Sequence, residues 1–284
     1  MSSWSKRVIG LGAAAALAMG AAASWAGQEQ SIAALDADQQ ALLAKVDFGK
    51  PYLAGPLPGA LELVPPPPSA GSLAEARDLA ANAEALALIG KPRWERATRD
   101  ADLSKGALAR DFSCPAGVTL SDATTPAITH LLRRAGTDLG WSTSEVKDHY
   151  QRPRPFMENG RTSCTPADEP SLRKNGSYPS GHSALGYGTG LILATIFPDR
   201  AAALVRRGRE FGDSRRVCNV HWLSDVEAGR DIAAATVSRL EANAEFATDL
   251  AAARAEAADL PDSARHPADC AEEAAALNGA ANDD

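Results

Sequence analysis

Apolar residues recur at helical spacing along most of this chain and nowhere alternate as in a strand. Ile32, Leu35, Leu42, Leu43 and Val46 mark a first helical pattern within 27–50. A Pro/Gly-rich stretch from Pro51 to Ser69 follows, ending in four prolines (65–68), and predicts an extended segment on the surface. Ser72-Leu73-Ala74-Glu75 is a capping box that opens a helix to about Ile89, and Gly90-Lys91-Pro92 ends it. One or two short helices fit within 92–110. Thr125-Pro126 opens a helix whose apolar side is Ile128, Leu131, Leu132, Ala135 and Leu139, closed by Gly140. Ser142-Thr143-Ser144-Glu145 is a second capping box, starting a helix through Lys147. Pro153 and Pro155 force the chain out of helix around Arg154, and 157–178 is a long loop without periodicity. The apolar run at 181–197 predicts a buried helix. Asp199 caps a helix to about Gly212, and His221 opens the last core helix through Asp225, Ala228, Ile232, Ala235, Val237 and Leu240. Asn243 caps a further helix to about Leu260. The fold class is all-α, a single compact helical domain with long loops carrying the functional residues.

The 284 residues, 45% hydrophobic and 23% charged, suffice for one globular core. Lys6-Arg7, an apolar Ala-rich run from Val8 to Ala23 and a small-x-small site at Ser24-Trp25-Ala26 read as a signal peptide. That divides the chain into residues 1–26 as signal peptide, 27–70 as an N-terminal arm with a Pro-rich segment, 71–260 as a helical domain, and 261–284 as an acidic Ala-rich tail, largely disordered except where Cys270 ties it down. Export near Ala26 implies a periplasmic or secreted protein. No later segment is long and apolar enough to span a bilayer, so no stable membrane insertion is expected. Cys114, Cys164, Cys218 and Cys270 are disulfide candidates, since an even count fits an oxidising compartment. Their wide spacing does not suit zinc. Three pairings are open; Cys114–Cys164 with Cys218–Cys270 is the one adopted here. Net charge −7 and a pI near 5.3 leave no basic stripe for nucleic acid.

The candidate chemistry centres on Tyr178-Pro179-Ser180-Gly181-His182-Ser183, where a loop turns into the buried helix. A helix N-terminus offers unpaired N–H groups and the positive end of the dipole, which favour an anion. Gly181 lets a ligand approach the backbone. Alone, this stretch is an ordinary turn with an incidental His. Two flanking patterns change that reading. Upstream, six residues separate Lys147 from Arg154-Pro155. Downstream, five residues separate Ser214-Arg215 from His221, and three more separate His221 from Asp225. K-x6-R-P, P-S-G-H and S-R-x5-H-x3-D in this order resemble the type 2 phosphatidic acid phosphatase superfamily, which includes vanadium haloperoxidases and bacterial class A non-specific acid phosphatases.

Phosphoryl transfer spreads charge over three equatorial oxygens, so fixed cations and N–H donors are what catalysis needs. Lys147, Arg154 and Arg215 supply charge, and an arginine fork also fixes orientation. Ser180 and Gly181 add donors. His221 and Asp225, one helical turn apart, would share a face, letting the carboxylate hold Nδ1–H and leave Nε2 unprotonated. A metal pair or a plain surface pair has the same spacing, but no further ligand set is evident.

By resemblance, His221 would be the nucleophile, forming a phosphohistidine that Asp225 orients. His182 would protonate the leaving alcohol and then activate water. Lys147, Arg154, Ser180, Gly181 and Arg215 would hold the phosphoryl oxygens. One neutral and one protonated His imply a mildly acidic optimum. No metal and no cofactor are implied. His130, His149 and His266 read as surface or packing residues, as do Tyr150, Tyr178 and Trp222 as packing. The class A branch fits best over residues 60–255, with small phosphate monoesters as substrates and a homodimer by analogy. Competing readings are a lipid or isoprenoid-pyrophosphate phosphatase, usually polytopic, and a vanadate-dependent haloperoxidase, generally larger. A phosphate-binding protein without activity is a fourth.

Overall fold

The structure, a computed structural model, describes residues 46–278. The signal-peptide segment and the pattern from Ile32 to Leu43 lie outside the described residues. Among the described residues all regular structure is helical, and a single β-bridge pairs Val118 with Arg265. In chain order the helices are α1 (Ala60–Leu63), α2 (Leu73–Leu86), α3 (Pro92–Asp100), α4 (Ala107–Asp111) and α5 (Ser113–Ala116). Next come α6 (Pro126–Trp141), α7 (Ser144–Tyr150), α8 (Pro155–Glu158) and α9 (Glu169–Leu172). The last five are α10 (Gly181–Ile196), α11 (Ala201–Val217), α12 (Leu223–Glu241), α13 (Ala244–Ala258) and α14 (Cys270–Asn278).

Helix α10 is the axis of the fold, buried on nearly all sides because it is apolar on nearly all sides. Leu185, Ile192 and Leu193 pack with Leu131 and Leu139 of α6, Leu204 and Phe211 of α11, and Leu240 of α12. Helices α10 and α11 meet backbone to backbone through two small-residue pairs, Gly186 with Gly190 and Gly208 with Gly212. A Cβ at Gly208 would stand 2.6 Å from Gly186 O, and one at Gly190 2.7 Å from Leu204 O. A Cβ at Gly212 would stand 2.8 Å from Ser183 Oγ, so the start of α10 lies against the end of α11. Similarly, a Cβ at Gly229 of α12 would lie 2.5 Å from Ser180 O. Three helix ends thus crowd together around Ser180.

Several boundaries follow the predicted caps. Ser72 accepts from Glu75 N at the start of α2, and Asn243 accepts from Phe246 N at the start of α13. Others differ. Thr125 does not cap α6 with its side chain; Glu256 of α13 accepts from Ala127 N at 3.0 Å and Ile128 N at 2.9 Å instead. The predicted second capping box is absent. Helices α6 and α7 nearly abut, and the Ser142 and Thr143 hydroxyls turn back to donate to Leu139 O and Gly140 O. Asp199 caps nothing: it lies in a 3₁₀ turn, and α11 runs from Ala201 past Gly212 to Val217. The last core helix opens at Leu223, two residues after His221. The 157–178 loop contains α9 and a 3₁₀ turn at Pro166–Asp168.

The described part of the arm is not merely a surface strap. Tyr52, Leu57 and Val64 are buried. Tyr52 N and Leu53 N donate to the Asp138 carboxylate at 2.8 and 3.0 Å, and the Tyr52 ring meets Phe246 edge-on at 5.3 Å. The tail is ordered from Pro261 through Asn278, more of it than the Cys270 tie alone predicts. It carries α14, whose Glu273 pairs with Arg96 at 3.1 Å and Arg207 at 3.0 Å. The disulfides are Cys114–Cys270 and Cys164–Cys218, not the predicted pairing. The tail folds back onto 113–119, where Thr119 N donates to Ala264 O, and that brings Cys270 to Cys114. Cys164 reaches the end of α11, where its N–H donates to Cys218 O at 3.1 Å.

Candidate active site

The eight predicted residues come from four places in the chain and converge at the crowded helix ends. Ser180 is the N-cap of α10: its Oγ accepts from Ser183 N at 3.2 Å, leaving its own proton to donate. Its N–H donates to Asp225 O at 2.9 Å, tying α10 to the first turn of α12. The N–H groups of Gly181 and His182 lie in the first turn of α10, where no intrahelical acceptor exists. A Cβ at Gly181 would point toward Thr143 Oγ1 at 3.5 Å and Lys147 Cε at 4.0 Å.

Three cations face this helix start. Lys147 Nζ donates to Gly176 O at 2.8 Å. Arg154 is in extended backbone before α8 and donates to Leu172 O at 2.9 Å and Val220 O at 3.0 Å. Arg215, near the end of α11, is buried, and its Nε and Nη1 make no hydrogen bond among the described residues. Burial lowers the pKa of all three. It is the first cause for Arg154, with Arg215 next, bringing it to about 9. Burial brings Arg215 to about 10. Burial and then Arg154 push Lys147 well below its ordinary value. Buried cations, two of them depressed by a neighbouring cation, with donors left over on Arg215, form a pocket for an anion.

His221 precedes α12, and Asp225 is the third residue of that helix. The carboxylate reaches back over the helix start, where Oδ2 accepts from Trp222 N at 2.8 Å and stands 3.3 Å from His221 Nδ1. On the other side of the ring, Nε2 lies 3.1 Å from Arg154 Nη1. A guanidinium can only donate, so Nε2 is the acceptor and Nδ1 carries the proton. The Nε2 lone pair therefore points at the arginine that faces the anion pocket. The predicted shared helical face is corrected: a helix-start geometry, not an i,i+4 stripe, makes this pair.

His182 is half-buried, whereas His221, Asp225, Arg154, Ser180 and Arg215 are buried. His182 and Lys147 therefore border the solvent side of the pocket. The His182 ring stacks on Phe211 at 6.1 Å, and its Nε2 lies 3.4 Å from Ala101 O. Burial, then Arg215 and His221, hold its pKa well below the usual 6.5. Burial, then Arg154 and Lys147, do the same to His221.

The other singled-out residues take packing roles. His130 pairs with Asp249 at 3.3 Å, and His149 meets Tyr150 edge-on at 4.6 Å. Tyr178 packs on Tyr150 and donates to Pro65 O, and Trp222 Nε1 donates to Pro153 O. Among the described residues no three His, Cys, Asp or Glu side chains converge as metal ligands, and no helix is long and apolar enough to cross a membrane. Sequence reading missed Arg152 and Asp78, which stand behind Asp225. A second arginine two residues from Arg154 was the available signal.

The profile of the PAP2 superfamily matches residues 123–241. An acid phosphatase of Zymomonas mobilis is 39% identical over 204 residues, covering 72% of this chain and 77% of its own. A non-specific acid phosphatase of Salmonella typhimurium is 42% identical over 197 residues, 69% of this chain and 79% of its own. One from Providencia stuartii is 40% identical over 201 residues, 70% and 81%. With that share of both chains aligned, this protein belongs to the class A acid phosphatases of the PAP2 superfamily.

Proposed function

We propose that this acid phosphatase hydrolyses phosphate monoesters of broad structure through a phosphohistidine on His221, without a metal, after export to the periplasm or beyond the cell. The observation that carries the reading is the fixed tautomer of His221: its free lone pair, on Nε2, is aimed at the cationic pocket. An ester phosphate held by Lys147, Arg154, Arg215, Ser180 Oγ and the first N–H groups of α10 would take over the Arg154 fork from Nε2. Nε2 then attacks phosphorus, and the P–O bond to the alcohol breaks. His182, on the solvent side, gives its proton to the departing oxygen. In the second half His182 takes a proton from water, the water oxygen attacks phosphorus, and the P–N bond breaks. Inorganic phosphate leaves and His221 is restored. Asp225 stays ionised and supports the imidazolium in between. Two disulfides support export.

The test is turnover of a chromogenic phosphomonoester by residues 27–284 in EDTA at mildly acidic pH, beside His221→Ala. Undiminished turnover by the parent and none by the variant is expected. Loss in EDTA that zinc or magnesium restores would overturn the metal-free reading. Vanadate should inhibit; halide oxidation gained with vanadate and peroxide would instead favour a haloperoxidase.

A further inference from the structure

Arg152 was not expected to matter, yet its side chain is only 12% exposed and makes two ion pairs. Nη1 donates to Asp225 Oδ1 at 2.7 Å, the carboxylate oxygen that His221 does not use. Nη2 donates to Asp78 Oδ2 of α2 at 2.8 Å. Asp78 in turn accepts from Ser224 N at 2.8 Å and Ser224 Oγ at 2.6 Å, in the first turn of α12. Charges thus alternate along a line from Asp78 through Arg152 to Asp225, which ends on the neutral His221 ring. The backbone explains how one short segment reaches both sides of the ring. The segment is not helical and the Pro153 ring fixes φ between the two arginines, so they need not share a face. Pro153 O also accepts from Trp222 Nε1 at 3.0 Å and Ser177 Oγ at 3.1 Å, which pins the tripeptide.

We propose that Arg152 is a positioning residue for the reaction. Arg152 holds Asp225 from behind while Arg154 faces Nε2, so the Arg-Pro-Arg tripeptide grips the His221–Asp225 pair at both ends. This rests on His221 being the nucleophile. Burial raises the Asp225 pKa, and Arg152 is the largest influence opposing that. Asp225 is also faced by Lys147 from α7, His221 and Trp222 N before α12, Arg154, and Tyr178 before α10, which adds no positive charge. Without Arg152 the carboxyl would take up a proton at higher pH and could no longer accept from Nδ1–H.

The experiment compares Arg152→Gln, Arg152→Lys and Asp78→Asn with the parent, reading kcat, KM and the acid limb of kcat. For Arg152→Gln, kcat should fall about ten- to hundred-fold, as outer partners of a reacting residue do, with KM little changed. Its acid limb should move to higher pH. Arg152→Lys should recover part of both, and Asp78→Asn should show smaller shifts in the same direction. Unchanged kcat and acid limb in Arg152→Gln would overturn the proposal, as would a lower melting temperature with an unmoved limb. Should Arg152→Gln not fold, Asp78→Asn decides by the same readouts. The His221 Nδ1 proton resonance is a readout independent of turnover. It should shift in Arg152→Gln, and an unmoved resonance overturns the proposal. An inactive parent would instead count against the nucleophile assignment.

Discussion

His182 shows how a single side chain sets the pH behaviour. Burial lowers the pKa of both catalytic histidines well below 6.5, helped by Arg215 and His221 at His182 and by Arg154 and Lys147 at His221, which disfavours the charged His182 that the first half-reaction needs. The substrate's own proton supplies that charge, passing to His182 on binding and from His182 to the leaving oxygen. A phosphomonoester carries that proton below its second pKa of about 6. We predict that kcat/KM falls as pH rises through about 6, and that a plateau well above neutrality would contradict this. His182→Ala should lose more rate on an alkyl phosphate than on nitrophenyl phosphate, whose leaving group needs no proton; equal losses would contradict its acid role. These residues were legible because eight of them keep fixed spacings in a fixed order. Arg152 and Asp78 were not, because each is a lone charge whose burial depends on helices distant in sequence.

At the scale of the element, the site exists because α10, α11 and α12 pack closely enough for their ends to meet. The Gly186/Gly190 and Gly208/Gly212 pairs permit this, and a Cβ at Gly208 would meet backbone, which cannot rotate away. Gly208→Ala should cost about 1–3 kcal/mol in unfolding free energy, measured by denaturant titration. Unchanged stability would show that the two helices can separate without cost. Helix positions were largely readable, since caps such as Ser72 and Asn243 act within one turn. Where the cap comes from elsewhere, as Glu256 does for α6, local sequence was silent. The Asp199 start and the Ser142 box failed because neighbouring helices and turns, not caps, set those ends.

Across the whole molecule, the described parts of the arm and tail close the helical body. The arm buries Tyr52, Leu57 and Val64, and the tail returns to pair Cys270 with Cys114 across 156 residues. The expected Cys114–Cys164 and Cys218–Cys270 pairing failed because this return is long-range; the Arg96, Arg207 and Glu273 pairs that hold α14 are equally non-local. Replacing Cys114 and Cys270 by Ser should lower stability by about 2–5 kcal/mol while leaving kcat near that of the parent well below the melting temperature. An unchanged melting temperature would contradict that contribution. The central claim is that His221 carries the phosphoryl group between two half-reactions. The most direct measurement is rapid quenching of turnover into alkali, followed by mass spectrometry of the digested protein. A phosphoryl group on the peptide at His221 Nε2, absent from His221→Ala, is the predicted result. Steady turnover with no phosphorylated His221, or with the label on His182, would contradict it.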